Sequence, residues 1–382
     1  MQKTKKILFD GRFLSLAHAG LGRYSCELFL HLLKLDSQQR YCLLVMKGTK
    51  FDPRLSEVLK DVGDRVEIIE TDALHYSLGE QTKLLRQIKQ AKPDLVHFPH
   101  FNHPIFYSGK FVVTIHDLIL GQYAERGSYF KRSIYNLVIN HAAKSSCKVL
   151  TVSNFIRNQI SQELQVPLTK IATTYNGIDS RFKKITDPKI LERGKKYGLN
   201  KQYILSVGQW RLHKNLLRLI EAFAIIAKQE RFCDKLELVF VGRDDPKYPL
   251  LKAEIARYNL QDKVKFTGFV SDEDLPVVYN NAEVFCFPSL SEGFGLPGLE
   301  AQACGVPVAS SDRTCMPEVY ADGAHYFDPE KPNDIAEKII EILTDDALKK
   351  KLIANGQKNA RKYTWEQTAK KTLEVYREIL YK

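Results

Sequence analysis

Short apolar runs rich in β-branched and aromatic residues alternate with helical periodicities along this chain, and the pattern occurs twice. In the first half the runs fall at 6–10, 41–46, 65–70, 95–98, 112–116 and 148–152, with helical patterns at 23–35, 79–90 and 130–143. In the second half they fall at 203–207, 236–241, 263–267, 284–287, 306–310 and 324–327. Helical patterns accompany them at 215–228, 247–258, 273–280, 296–303 and 332–343. Strands that are apolar throughout, joined by amphipathic helices, imply parallel sheets covered on both faces. That is the doubly wound α/β class, twice over. A chain of 382 residues is also too long for one ordinary core. The expected domains are 1–182 and 183–364, with the polar, lysine-rich stretch 183–201 as linker. The final helix 365–382 has nothing after it to pair with and packs back on one of them, the N-terminal domain being the expected partner. In such folds ligands sit beyond the carboxyl ends of the strands, so the loops after Asp10 and Val207 and the turn 289–296 are expected to face a shared cleft.

Composition removes several function classes. The seven cysteines are scattered, odd in number and without a C-x-x-C pair, which argues against a disulfide framework or zinc site and for a reducing compartment. The basic N-terminus carries only Ile7, Leu8 and Phe9 before Asp10, too short for a signal peptide, and no stretch is long enough to span a bilayer. A cytoplasmic protein is expected, able to sit on the cytosolic face of a membrane. The net charge of +12 is uneven: residues 1–200 hold 31 Lys+Arg against 18 Asp+Glu, residues 201–382 hold 26 against 27. A basic first half suits an anionic partner (nucleic acid, a lipid surface or a phosphorylated acceptor), and it equally suits ordinary lysine-rich solubility.

The chemistry concentrates between Ser291 and Pro307, in SEGFGLPGLEAQACGVP. A glycine turn (Gly293, Gly295) follows an apolar run and opens a helix after Pro297, an arrangement that aims backbone N–H groups and a helix N-terminus at an anion. Glu292 and Glu300 bracket that turn with seven residues between them. Carboxylates repel phosphate, so the pair makes sense only for a ligand that also carries hydroxyls. Cations come from the loop after Gly208, where Arg211 and Lys214 precede another helix and suit a diphosphate leaving group without metal.

In the first half, Gly20-Leu21-Gly22 opens a helix but lacks the third glycine of a dinucleotide fingerprint, since Ser25 stands there, and lies too far beyond the first strand. A glycine turn close to a ligand and a plain helix entry both fit it. His116 ends a buried strand, where it can hydrogen-bond a sugar hydroxyl, act as acid or base, or be structural. His97, His100 and His103 have neither metal-pair spacing nor a carboxylate partner. Asp272-Glu273-Asp274 contains a D-x-D, which reads better as the acidic first turn of a helix capped by Ser271. Asp244-Asp245 reads as a turn beside Pro246.

Taken together, Gly20 to Tyr24, Val113 to Asp117, Thr151 to Ser153 and Asn176 to Asp179 are similar to segments of the retaining glycosyltransferases of family 4. So are Gly208 to Asn215, Gly268 to Ser271 and above all Glu292-Gly-Phe-Gly-Leu with Glu300. The resemblance runs nearly end to end and implies the GT-B fold of two facing Rossmann-like domains. It implies that Glu300 binds the ribose of a nucleotide-sugar and that Glu292 sits by the transferred sugar. Gly293, Phe294, Gly295 and Leu296 would contact sugar and diphosphate through backbone N–H groups, Lys214 would neutralise the departing diphosphate, and His116 would contact the donor sugar. Gly20, Gly22 and Val270 join the donor-binding set. The family often has an arginine where this chain has Gln209, and Arg211 is expected to supply that charge.

What the resemblance implies is metal-independent transfer of a hexose to a glycan or lipid-linked acceptor in cell-surface polysaccharide or lipopolysaccharide assembly. GDP-mannose is the favoured donor, UDP-hexoses stand next, and no cofactor or nucleic acid is expected. An epimerase on the same scaffold and a non-catalytic sugar-nucleotide-binding protein are the alternatives. The helical stretch from Tyr129-Phe130-Lys131-Arg132 through Ile134, Leu137 and Val138 has one apolar face, read first as core packing and second as a contact with anionic lipid.

Overall fold

The computed structural model describes residues 3–14, 19–119, 129–242 and 250–381. The turn at Asp244-Asp245, the first residues of the helical pattern 247–258, and the side chains of Tyr129, Phe130 and Lys131 lie outside the described residues. The chain forms two compact units, Met1–Gly177 with Thr364–Lys382, and Ile178–Tyr363.

The first unit is built on a seven-stranded sheet of β1 (Lys6–Asp10), β2 (Arg40–Met46), β3 (Val66–Thr71), β4 (Leu95–Phe98), β5 (Phe111–Ile115), β6 (Lys148–Thr151) and β7 (Ile171–Thr173). The order is β3-β2-β1-β4-β5-β6-β7 and every pairing is parallel. The second unit repeats the plan with β8 (Gln202–Val207), β9 (Leu236–Val241), β10 (Val264–Gly268), β11 (Val284–Phe287), β12 (Val308–Ser311) and β13 (Ala324–Phe327). Its order is β10-β9-β8-β11-β12-β13, again all parallel. Strand order reverses between β1 and β4 and between β8 and β11, so each unit has one topological switch point where loops part at the carboxyl edge. The central strands are wholly buried, which is why they read as continuous apolar runs.

The described elements depart from the sequence pattern where tertiary contacts compete with periodicity. The stretch 79–90 splits into a π-helical turn, Glu80–Leu84, and a short helix, Leu85–Ala91. At the start of that turn Glu80 is drawn inward to 1 % exposure, accepting from Arg12 (2.7 Å) and Asn102 (2.7 Å). The first helix spans Ala19–Leu35, so Gly20 and Gly22 lie inside its first turns instead of forming a turn ahead of it. The stretch 183–201 is no linker. Ile185 donates to Asn280, Asn281 donates to Leu191, and Arg193, Lys196 and Tyr197 all converge on Asp274, placing the segment within the second unit.

The final helix, Trp365–Tyr381, belongs to the first unit. Trp365, Ala369, Leu373 and Tyr376 bury together with Tyr24, Leu28 and Phe29 of the first helix. Tyr376 also pairs through its hydroxyl with His97 Nδ1 at 2.5 Å. With this helix assigned, the first unit holds 28 Lys+Arg against 18 Asp+Glu and the second 29 against 27, so the charge asymmetry persists at +10 against +2. Among the described residues no helix is long and apolar enough to cross a membrane.

Candidate active site

In the second unit the switch point gathers the residues singled out from sequence. β8 ends at Val207, and the loop beyond it closes with a 3-10 turn, Leu212–Lys214, before the helix Leu216–Ile226. β11 ends at Phe287 and leads through Pro288 and Ser289 to the glycine turn and the helix Leu296–Ala303. The two loops are joined by Leu290 N–H donating to the His213 carbonyl at 2.7 Å. Lys214 Nζ lies 2.5 Å from Glu292 Oε1, with only 18 % and 11 % of the two side chains exposed, and 5.3 Å from the centre of the Phe287 ring. An ammonium has three N–H donors, so this contact leaves two for another acceptor. A shallow pocket lies alongside, lined by Gly208, Trp210, Lys214, Phe287, Pro288 and Ser289. Ser289 is fully buried, and its hydroxyl has no hydrogen-bond partner among the described residues.

The glycine turn is held by an aromatic ring. Gly295 has φ +83°, and a Cβ on it would meet the Tyr320 hydroxyl at 2.4 Å; one on Gly298 would meet the Tyr320 ring at 2.3 Å. Only glycine leaves room for that ring, whose hydroxyl donates to the Gly295 carbonyl at 2.6 Å. Glu300, one turn into the helix, is buried and accepts from the Tyr279 hydroxyl at 2.9 Å. Burial and the adjacent Glu300 carboxylate push the Tyr279 phenol well above its ordinary range, so it stays a donor. The backbone of Glu292 is clamped from both sides: its N–H donates to Thr314 Oγ1 at 3.2 Å and its carbonyl accepts from Cys315 Sγ at 3.3 Å. Burial raises the Cys315 thiol far above the usual range, which keeps it protonated and unreactive.

In the first unit His116 follows β5. Its Nε2 lies 2.8 Å from the Pro99 carbonyl, which can only accept, so that nitrogen carries the proton and Nδ1 keeps its lone pair. Burial lowers its pKa to about 4 against the opposing pull of Pro99, so the ring is neutral near pH 7. Tyr24 packs edge-on against it, ring centres 4.5 Å apart. His97 is structural, fully buried between Tyr376 and Thr114. His103 likewise joins Phe101 and His141.

Three comparisons with known proteins bear on this arrangement. Residues 20–182 match the family model described as Glycosyltransferase Family 4, and residues 190–359 match the model described as Glycosyl transferases group 1. The chain is 30 % identical over 262 residues to the O-antigen chain mannosyltransferase RfbU of Salmonella typhimurium, covering 68 % of each. The chain belongs to glycosyltransferase family 4. It is 29 % identical to the O-antigen chain mannosyltransferase B of Escherichia coli, over 97 % of this chain and 99 % of that protein. Among solved structures, the sucrose-phosphate synthase of Thermosynechococcus elongatus superposes with a TM-score of 0.79 over 99 % of both chains at 20 % identity, which agrees with the GT-B fold. The protein is thus an enzyme of glycosyl transfer, a hexosyltransferase.

Within this glycosyltransferase the other site candidates fall into place unevenly. Phe294 is buried against Tyr363 and Val270 is buried as well, so each offers a ligand its backbone at most. Arg211 is exposed at the start of the 3-10 turn. The acidic stretch 272–274 forms a turn before the helix Leu275–Asn280, so the helix starts later than a Ser271 cap implies. Burial alone would raise the Asp274 carboxyl, yet Lys196, Tyr197, Ser271 and Arg193 hold it far below the carboxylate range. Asp274 is therefore a structural hub. Among the described residues no cluster of three or more His, Cys, Asp or Glu is placed to hold a metal ion. Ser289 falls within the turn 289–296 expected to face the ligand, whereas Tyr279, Thr314, Cys315 and Tyr320 carry no local signal, because nothing in the sequence distinguishes a side chain behind a loop from one in the core.

Proposed function

We propose that this hexosyltransferase moves a mannosyl group from GDP-mannose, with retention and without metal, to a glycan or lipid-linked acceptor in cell-surface polysaccharide synthesis. The observation that carries the reading is the Lys214–Glu292 pair at the β8–β11 switch point, with Glu300 one helical turn beyond. The mannosyltransferases of O-antigen chains to which the chain is similar support the sugar and the pathway class.

Negative charge builds on the diphosphate as the glycosyl bond breaks, and a fixed cation placed there stabilises the transition state more than the ground state. Lys214 has two N–H donors beyond the one on Glu292, and the Ser289 hydroxyl and the N-terminus of the helix Leu296–Ala303 add donors nearby. Pairing with Lys214 lets Glu292 stay beside a diphosphate without repelling it. The Glu292 carboxylate accepts from hydroxyls of the sugar, and the Glu300 carboxylate, oriented by Tyr279, accepts from those of the ribose. The family resemblance gives His116 a contact with the donor sugar, and its Nδ1, unprotonated near neutrality, has the lone pair to accept from a hydroxyl. Retention without a covalent intermediate would mean front-face attack, in which the departing phosphate takes the acceptor proton.

The first unit adds a candidate surface. Ile134 and Leu137 are 43 % and 58 % exposed, against the expectation that this face packs in the core, whereas Tyr135, Val138 and Ile139 turn inward. Beside exposed Arg132, on the more basic unit, they suit peripheral contact with an anionic membrane. Sedimentation with anionic vesicles should lose the Ile134→Ser/Leu137→Ser variant and retain the parent.

The main test is transfer from GDP-mannose to an oligomannoside or lipid-linked acceptor, with the anomeric configuration of the product read by NMR. Retained configuration supports the mechanism, and inversion refutes it. Transfer from UDP-hexoses in place of GDP-mannose refutes the donor.

A further inference from the structure

Thr314 holds a backbone conformation that its residue type disfavours. It follows β12 in a turn closed by Met316 N–H donating to the Arg313 carbonyl at 3.3 Å. Its φ is +53°, and the next residue, Cys315, has φ −83° and ψ −9°. A positive φ followed by such a residue is the sign pattern of a type II′ turn, whose first central position normally takes glycine. A β-branched side chain there crowds its own backbone. Such conformations persist where the surroundings over-determine them, and they cluster at functional sites.

The surroundings of this turn are specific. Arg313 anchors it from one side, with its guanidinium on Asp328 at 2.9 Å, Asp312 at 3.4 Å and Glu330 at 3.5 Å. On the other side the Thr314 hydroxyl accepts from Glu292 N–H at 3.2 Å and lies 3.5 Å from Met316 Sδ. Cys315, the neighbour in the same turn, donates to the Glu292 carbonyl. Two consecutive side chains of the β12 loop thus fix both peptide groups of the residue whose carboxylate meets Lys214.

We propose that Thr314 is a positioning residue for transfer, its hydroxyl setting the backbone of Glu292 and thereby the carboxylate that faces the donor. The role rests on the assignment of Glu292 to the donor sugar. Glycine at 314 would relax the backbone and remove the hydroxyl together, so stability and activity should move in opposite directions. A residue needed only for folding would move them in the same direction.

The test compares Thr314→Gly, Thr314→Ser and Glu292→Ala in the full chain by three measurements: melting temperature, hydrogen exchange of the Glu292 amide, and steady-state release of GDP from GDP-mannose. Thr314→Gly should melt at or above the parent, exchange the Glu292 amide at least tenfold faster, and lose about tenfold in kcat with donor KM little changed. Thr314→Ser should restore protection and most of the turnover. Unchanged exchange in Thr314→Gly overturns the proposal without reference to any donor. A lowered melting temperature with activity lost in proportion to unfolding also overturns it. If Thr314→Gly exchanges faster while Glu292→Ala keeps parental turnover, the assignment of Glu292 has failed and with it the catalytic meaning of the contact.

Discussion

Acid should unfold the two units unequally. In the first unit burial lowers His97 to about 3 and His103 and His116 to about 4, with repulsion from His116 adding to the shift at His97 and the backbone carbonyls of Phe101 and Pro99 opposing it at the other two. Among the described residues of the second unit only His213 carries a comparable shift, to about 4, again through burial. An unfolded histidine titrates near 6.5. A folded pKa below the unfolded value means that the unfolded chain binds the extra protons. Stability is therefore complete above pH 6.5 and falls as pH drops from 6.5 towards 4. Between pH 7 and pH 5 each such group forfeits about 2 kcal/mol. These three groups acting independently would remove about 6 kcal/mol from the first unit, against about 2 kcal/mol from the second, and His100, which burial also holds well below the ordinary range, widens the gap. A domain of ordinary stability has about 5–15 kcal/mol to lose. The chain's two tryptophans make the assay direct, because Trp365 lies in the first unit and Trp210 in the second, both buried. Trp210→Phe leaves a reporter on the first unit and Trp365→Phe one on the second. Urea denaturation of each, followed by fluorescence at pH 7 and pH 5, should show the first unit losing more of its midpoint. Equal shifts in the two units, or none, would refute the reasoning.

The remaining expectations concern the site. Lys214→Ala and Glu292→Ala should each lower kcat by roughly 10²–10³ in a transfer assay, the range for losing one preorganised donor. Because the two side chains form one ion pair, the double variant should be little worse than the more damaged single one. Glu300→Ala should raise donor KM more than it lowers kcat, and Tyr279→Phe should do the same more weakly, as titrations against donor concentration will show. Transfer should continue in EDTA after dialysis, and strict dependence on added Mn²⁺ would reopen the role of Asp272-Glu273-Asp274. Gly298→Ala should lower the melting temperature by several degrees, because its Cβ would meet the Tyr320 ring at 2.3 Å.

Much of the fold was legible because buried parallel strands advertise themselves. Leu236–Val241, Val284–Phe287 and Ala324–Phe327 were bounded to the residue from their apolar runs alone. The short edge strand Ile171–Thr173, too brief to form a run, was not seen. The π-helical turn at Glu80 was invisible for another reason: its partner Arg12 lies 68 residues away in sequence. The same distinction holds in the site. Lys214, Glu292 and Glu300 carry charge next to glycine turns, which is a local signal. Thr314 declares itself only through the sign of one dihedral angle and a contact across 22 residues. The linker reading of 183–201 failed because lysines count as solvent-seeking, whereas two of its cationic side chains gather on one carboxylate, Asp274.

The placement of the last helix has a consequence for how the molecule is made. Residues 178–363 form a continuous stretch, so the second unit can complete its core as soon as that stretch has left the ribosome. The first unit, although begun earlier, lacks the Trp365, Leu373 and Tyr376 side chains that cover its first helix and satisfy His97 until residues 364–381 arrive. The half of the enzyme made first is thus the half finished last. During that interval it exposes an apolar helix face, and chaperone dependence and sensitivity to truncation before residue 364 should concentrate there.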